Sequence, residues 1–197
     1  MEQIGSYINI REKDFYFSGC HSCDKRCCDG RAGYSLTPLV VEDFMEVYKH
    51  FPILFGSVNG VFRPLMVLND GDSACSYLDE NGSCSIYEER PPACRLYPLS
   101  PFFDEVFIDA ACPSVSGDAV GVSIVEKGNV CKEFYHKRLE NFAQKLENTS
   151  TFMEELVADE NDFELVGEVS GVALYKYSGK IENEMIQMHR ESLRHLE

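Results

Sequence analysis

The stretch Cys20-His-Ser-Cys23-Asp-Lys-Arg-Cys27-Cys28 places four thiols within nine residues. Such density in a chain of otherwise ordinary composition means that a metal ion, an iron–sulfur cluster or disulfides help hold the region together, because packed hydrocarbon alone does not explain it. Ligands this close also demand tight turns, so the stretch is expected as a loop, with Gly19 and Gly30 flanking it to allow them.

Five further cysteines follow: Cys75, Cys84, Cys94 and Cys112 form a second, wider set, and Cys131 is left over. Two sets of four suit tetrahedral zinc and, equally, an iron–sulfur cluster held by four thiolates. Neighbouring residues in extended chain point opposite ways, so either Cys27 and Cys28 serve different centres or the two sets interleave around a pair of metals. Of the histidines only His21, inside the first set, is a candidate ligand; His50, His136, His189 and His195 fall on expected helices and read as surface residues. Cys131, at the start of an expected helix, reads as a structural thiol. A single C-x2-C knuckle argues against an ordinary zinc finger, and Cys112-Pro113 matches the dipeptide that closes ferredoxin runs.

Composition sets the context. At 197 residues, 44% hydrophobic and 26% charged, the chain fits one globular domain or a domain with an appendage. It has no run of about 18 apolar residues, so no membrane partner is expected. The N-terminus lacks the basic start, apolar stretch and cleavage site of a secretory signal, which places the protein in the cytoplasm. In that reducing compartment dense cysteines bind metal or catalyse more often than they form disulfides. A formal net charge of −15 argues against nucleic acid, which needs a positive footprint. Residues 147–168 hold eight Asp or Glu and no Lys or Arg, a solvated surface that could meet a protein partner.

Patterning predicts an extended lead-in through residue 19, then a helix capped by Thr37 with Pro38 at its first position, running to His50. A strand over Val61–Leu68 ends in the turn Asn69-Asp-Gly-Asp72, and a small hairpin about Asn81-Gly82 carries Cys75 and Cys84. A helical turn broken by prolines covers Ile86–Pro98, and Glu105–Ala110 reads as a strand. Helices are expected over Val130–Asn148 and Thr151–Ala158, a hairpin over Phe163–Val169 and Val172–Tyr177, and a closing helix over Glu182–Leu196. The fold class is therefore α+β: a cysteine-rich domain over residues 1–128 with an irregular metal-bound core, short hairpins and flanking helices, and a helical and β-hairpin extension over 129–197 packed on it.

The series Cys20-x2-Cys23-x3-Cys27-Cys28, Cys75-x-x-Leu78 and Cys84-x-Ile86-Tyr87-x-x-Arg90-Pro91-x-x-Cys94-Arg95-x-Tyr97-Pro98 resembles the YkgJ-like cysteine-cluster family over roughly residues 15–115. That resemblance implies chelation of zinc or iron, with Cys20, Cys23, Cys27, Cys28, Cys75, Cys84, Cys94 and Cys112 as metal ligands. Around them, Arg90 and Arg95 would offset thiolate charge, and Tyr87 would pack the ligand loop or donate its hydroxyl. The expected function is a metal-binding protein holding zinc or an iron–sulfur cluster in a structural, sensing or metal-handling role. Flagellin lysine N-methylases are similar in this region, so a methyltransferase or redox enzyme is the alternative, although no Gly-rich loop for a nucleotide-like methyl donor follows a strand here.

Overall fold

The computed structural model describes residues 3–4, 6–20, 26–58, 61–102, 104–157 and 159–196. The chain is α+β and forms two units, each drawn from two separated stretches: residues 1–27 with 79–143, and residues 28–78 with 144–197. In chain order the strands are β1 (Gln3–Ile4), β2 (Tyr7–Asn9), β3 (Phe15–Phe17), β4 (Leu36–Pro38), β5 (Ile53–Val58), β6 (Val61–Val67), β7 (Leu99–Phe102), β8 (Glu105–Asp109), β9 (Val115–Ser116), β10 (Val122–Glu126), β11 (Asn129–Val130), β12 (Phe163–Val169) and β13 (Val172–Tyr177). The α-helices are α1 (Phe44–Val47), α2 (Pro92–Leu96), α3 (Phe142–Leu156) and α4 (Glu184–Ser192). Among the described residues no helix is long and apolar enough to cross a membrane.

The first unit holds two antiparallel sheets, ordered β1-β2-β8-β7 and β11-β10-β3-β9. Phe15, Leu99, Ile108, Ile124 and Val125 from their strands, with Leu96 of α2, form one buried cluster. The extended lead-in, the strand at β8 and the proline-broken helical turns all appear where expected, the last as a 3-10 turn over Tyr87–Glu89 followed by α2. The hairpin about Asn81-Gly82 is reduced to a tight loop between the single bridge residues Leu78 and Cys84, with no strand on either arm. Instead the Asp79 carboxylate accepts from Asn81 N (2.9 Å) and Ser83 N (2.7 Å), while Asp79 N donates to Ser83 O (2.8 Å). A short acceptor side chain competes with ladder bonding in this way and closes a loop in place of two strands.

The helix expected over Val130–Asn148 also differs. Its front half is two 3-10 turns, Lys132–Phe134 and Lys137–Leu139, the second capped by His136 Nδ1 accepting from Arg138 N at 3.0 Å. Val130, Phe134 and Leu139, whose spacing suggested one helical stripe, pack singly on the buried cluster. Continuous helix begins only at α3, which absorbs most of the expected second helix as far as Leu156.

The second unit is a five-stranded antiparallel sheet, β12-β13-β5-β6-β4, with Leu54, Leu65 and Leu174 fully buried on it. The β12–β13 hairpin turns at Ser170 (φ 52°) and Gly171 (φ 77°), the paired positive dihedrals of a tight hairpin. The predicted helix from Thr37 is replaced by β4, a 3-10 turn over Val41–Asp43 and the single turn of α1. Leu36 and Pro38 pair with Val67 and Leu65 of β6. Proline's fixed φ suits an edge strand as well as a first helical turn, and pairing with β6 decides between them. α3 lies over this corner, with Phe152 edge-on to Phe44 at 6.0 Å and Thr149 Oγ1 accepting from Val41 N at 3.0 Å.

The closing helix is α4, extended by a 3-10 turn over Leu193–Leu196 and capped where Asn183 Oδ1 accepts from Ile186 N (2.9 Å). His189 on it, expected at the surface, is 0% exposed. Its Nε2 accepts from Tyr177 N (3.0 Å), so its proton sits on Nδ1, which donates to Ile53 O (2.7 Å). Ser192 Oγ accepts from Ile53 N (2.9 Å), and the two side chains together anchor α4 to β5 and β13.

Candidate metal centre

Two of the expected ligands meet in the second unit. Residues 28–30 and 73–75 form a short antiparallel bridge centred on Asp29 and Ala74, with Cys75 N donating to Cys28 O (2.7 Å) and Gly30 N to Ser73 O (2.9 Å). In that register Cys28, the last residue of the 3-10 turn Arg26–Cys28, stands opposite Cys75 in the backbone pairing. A cysteine of the first set and one of the second are thus cross-strand neighbours. Cys75 is 7% exposed and Cys28 half-buried.

Local chemistry holds the bridge. Asn69 Oδ1 accepts from Gly71 N (3.0 Å), its Nδ2 donates to Tyr34 O (3.1 Å), and Asp70 Oδ1 accepts from Asp72 N, Ser73 N and Ser73 Oγ. These hydrogen bonds keep the Asp70 carboxyl below the usual carboxylate range, the Ser73 hydroxyl contributing most. On the facing side Asp29 takes up Arg31 in a two-point pair, Nε to Oδ1 and Nη2 to Oδ2, both 2.8 Å, which likewise lowers its carboxyl. Asp29 is thereby engaged as the cap of the Gly30–Ala32 turn.

Gly30 is where the two strands press together. A Cβ there would collide with Asn69 Oδ1 and stand 2.7 Å from the carbonyl carbon of Gly71 and 2.8 Å from its oxygen. Gly30→Ala is therefore expected to cost about 2 kcal/mol, in the range of overpacked sites, read as a lower urea midpoint with unchanged slope. An unchanged midpoint would show that the approach is looser than described.

In the first unit the β3–β9 pairing brings two further cysteines to one end. Tyr16 pairs with Ser116 and Phe17 with Val115, and the contact continues as Ser18 N to Ser114 O (2.9 Å) and Ser114 Oγ to Gly19 O (2.7 Å). Carried two residues beyond Ser18 and Ser114, that register leads to Cys20 and Cys112. Cys112 is 6% exposed and its N–H is bonded to Asp109 O (3.2 Å). Asp109, fully buried, accepts from Tyr97 Oη (2.9 Å) and Ala111 N (3.0 Å), fastening the turn before Cys112 to the Tyr97-Pro98 step after α2. Cys94 lies within α2, and Cys84 follows the Asp79 loop, its carbonyl accepting from Tyr87 N (3.2 Å).

Cys27 falls in the first unit, in the middle of the 3-10 turn Arg26–Cys28. Cys23 and His21 lie outside the described residues. Arg90, expected near thiolates, sits 3.6 Å over the Tyr87 ring and donates its Nε to Tyr87 O (2.8 Å). It forms the stacked pair open to a planar cation on an aromatic face. Arg95 is on the exposed side of α2. Cys131 is a half-buried thiol 3.4 Å from Ser123 Oγ. The described cysteines carry thiols rather than disulfides. Among the described residues no three or more His, Cys, Asp or Glu side chains are grouped as a metal shell.

Residues 19–147 match the family model CxxCxxCC, described as "Putative zinc- or iron-chelating domain". The chain belongs to the CxxCxxCC family. No curated protein and no solved structure matches it. The family's span covers both cysteine sets and also takes in the residues that sequence reasoning passed over as site builders: Asp109, Ser114, Asn69 and Asp70. The last two carried a signal, the Asn-Asp-Gly-Asp turn, but nothing in it named the partner strand. Asp109 reads in the sequence as one more polar residue at a strand end.

Proposed function

We propose that this CxxCxxCC protein binds zinc or an iron–sulfur centre through the thiolates of Cys20, Cys23, Cys27, Cys28, Cys75, Cys84, Cys94 and Cys112, in a structural, sensing or metal-handling role. The observation that carries the reading is the bridge that sets Cys28 opposite Cys75, joining the two cysteine sets through backbone hydrogen bonds. The donor set fits: zinc and iron–sulfur centres take thiolate sulfur, and both need cysteines delivered from separate loops. When bound, zinc would cross-link those loops without redox chemistry, whereas an iron–sulfur cluster would add a redox couple. The chain's own part is to hold the donors. Backbone bonding fixes Cys28 and Cys75, Asp109 and Ser114 support the turn at Cys112, and Arg90 and Arg95 bring positive charge to a segment of a strongly acidic chain.

Elemental mass spectrometry on anaerobically purified protein, with an absorbance scan, tests this. One or more zinc or iron ions per chain are expected, colourless for zinc and brown for a cluster, with loss of bound metal in both Cys28→Ser and Cys75→Ser. Metal at background in the wild-type chain would end the reading.

A further inference from the structure

The second unit contains a cavity of about 390 Å³ whose wall includes Ala74, Ser76 and Tyr77, the residues on either side of Cys75. That volume lies at the small-molecule end of the usual pocket range of roughly 300–1,000 Å³. Fully buried Leu54 and Leu174 form its apolar floor. Phe51 and Tyr77 stand edge to face at 5.3 Å, and His50 is edge-on to Tyr77 at 5.7 Å, which makes an aromatic wall.

The charged lining has one sign. Asp70 and Glu168 line the cavity, and no Lys or Arg does so among the described residues. Arg194 is close enough to act on the Tyr77 phenol but is not part of the lining. His195 Nε2 faces the Tyr48 carbonyl at 3.1 Å, so in its neutral form that nitrogen carries the proton and Nδ1 is an acceptor. The opposite rim is built by Val166–Val169 of β12, where the ladder to β13 breaks register between Leu165 and Gly167. Bulges of this kind re-aim side chains beside binding sites.

We propose that this cavity binds a small aromatic amine, its ring against Phe51 and Tyr77 and its ammonium toward Asp70 and Glu168. An apolar floor and an aromatic wall select a ring, and two carboxylates without a cation select positive charge and repel an aromatic acid. The inference is independent of which metal the protein holds.

Calorimetric titration of the full chain at pH 8 compares 2-phenylethylamine with phenylacetate. The amine is expected to bind about tenfold more tightly than the acid, and its addition should shift the NMR amide signals of Tyr77 and Val166–Val169. The Asp70→Asn, Glu168→Gln double variant should bind the two probes equally. If that variant fails to fold, Glu168→Gln alone, a change at an exposed strand residue, should still reduce the preference. No saturable binding of the amine, equal affinities in the wild-type chain, a preference that survives in the folded variant, or shifts confined to other residues would overturn the proposal.

Discussion

Stripping metal from the reduced protein with a chelator is expected to lower the midpoint of thermal unfolding by on the order of 10 °C or more. Binding energy for a thiolate-held metal is folding energy wherever the apo chain cannot keep its donors together, and structural zinc is worth roughly 10–16 kcal/mol in small zinc-binding peptides. Here the two units have buried clusters of their own, so only part of that is lost as global stability. Even about 5 kcal/mol corresponds to roughly 10–20 °C for a chain of this size. The loss should be local first. Amide exchange ought to accelerate at Gly30 and Cys75, whose N–H groups make the bridge bonds, before it does in β5, β6 or β13. Circular-dichroism melting and hydrogen exchange, each run with metal and after its removal, check both parts. A midpoint and an exchange pattern unmoved once metal is at background would mean that the cysteine loops are held by their hydrogen bonds alone.

Acid is expected to weaken the second unit through a single imidazole. Burial pushes the pKa of His189 down to about 4 and the neighbouring Arg190 guanidinium adds to the fall, while the bond from Nδ1 to the Ile53 carbonyl opposes it. Phe55 covers the ring at 4.9 Å, so no water replaces its Ile53 and Tyr177 partners without opening the fold. The unfolded chain binds a proton near its ordinary value of about 6.5 and the folded chain does not. Stability from this group is therefore complete above about pH 6.5 and is lost as pH falls toward 4, by about 3 kcal/mol. Denaturant titrations at intervals between pH 7 and pH 4 should show that decline. His189→Gln should be less stable at pH 7 but flatter across the window, and a variant with the wild-type slope would assign the decline to other groups.

Elements whose signals were local were legible in the sequence. Ser170-Gly171 between two β-branched and aromatic runs announces β12 and β13, and Val61–Val67 ends at the Asn69–Asp72 turn as read. Where two readings shared one signal, a distant partner chose. Leu36-Thr-Pro38 became a strand because β6 accepts it, and Val130, Phe134 and Leu139 reach one buried cluster from separate turns rather than from one helix. The eight candidate ligands stood out by residue type and spacing. That Cys28 faces Cys75 could not be read off, because it depends on a bridge between stretches more than forty residues apart. Nor could the burial of His189, whose partners come from β5 and β13.

The interleaved chain path has a consequence for biosynthesis. β3 finds its hydrogen-bonding partners in β9 and β10, and β2 gains β8 beside its neighbour β1, so a chain leaving the ribosome must expose Phe15 and the Cys20 thiol until residues beyond 105 have emerged. Throughout that interval β3, three residues before Cys20, has no strand to pair with. Oxidants therefore have their best opportunity at that thiol before the polypeptide is finished.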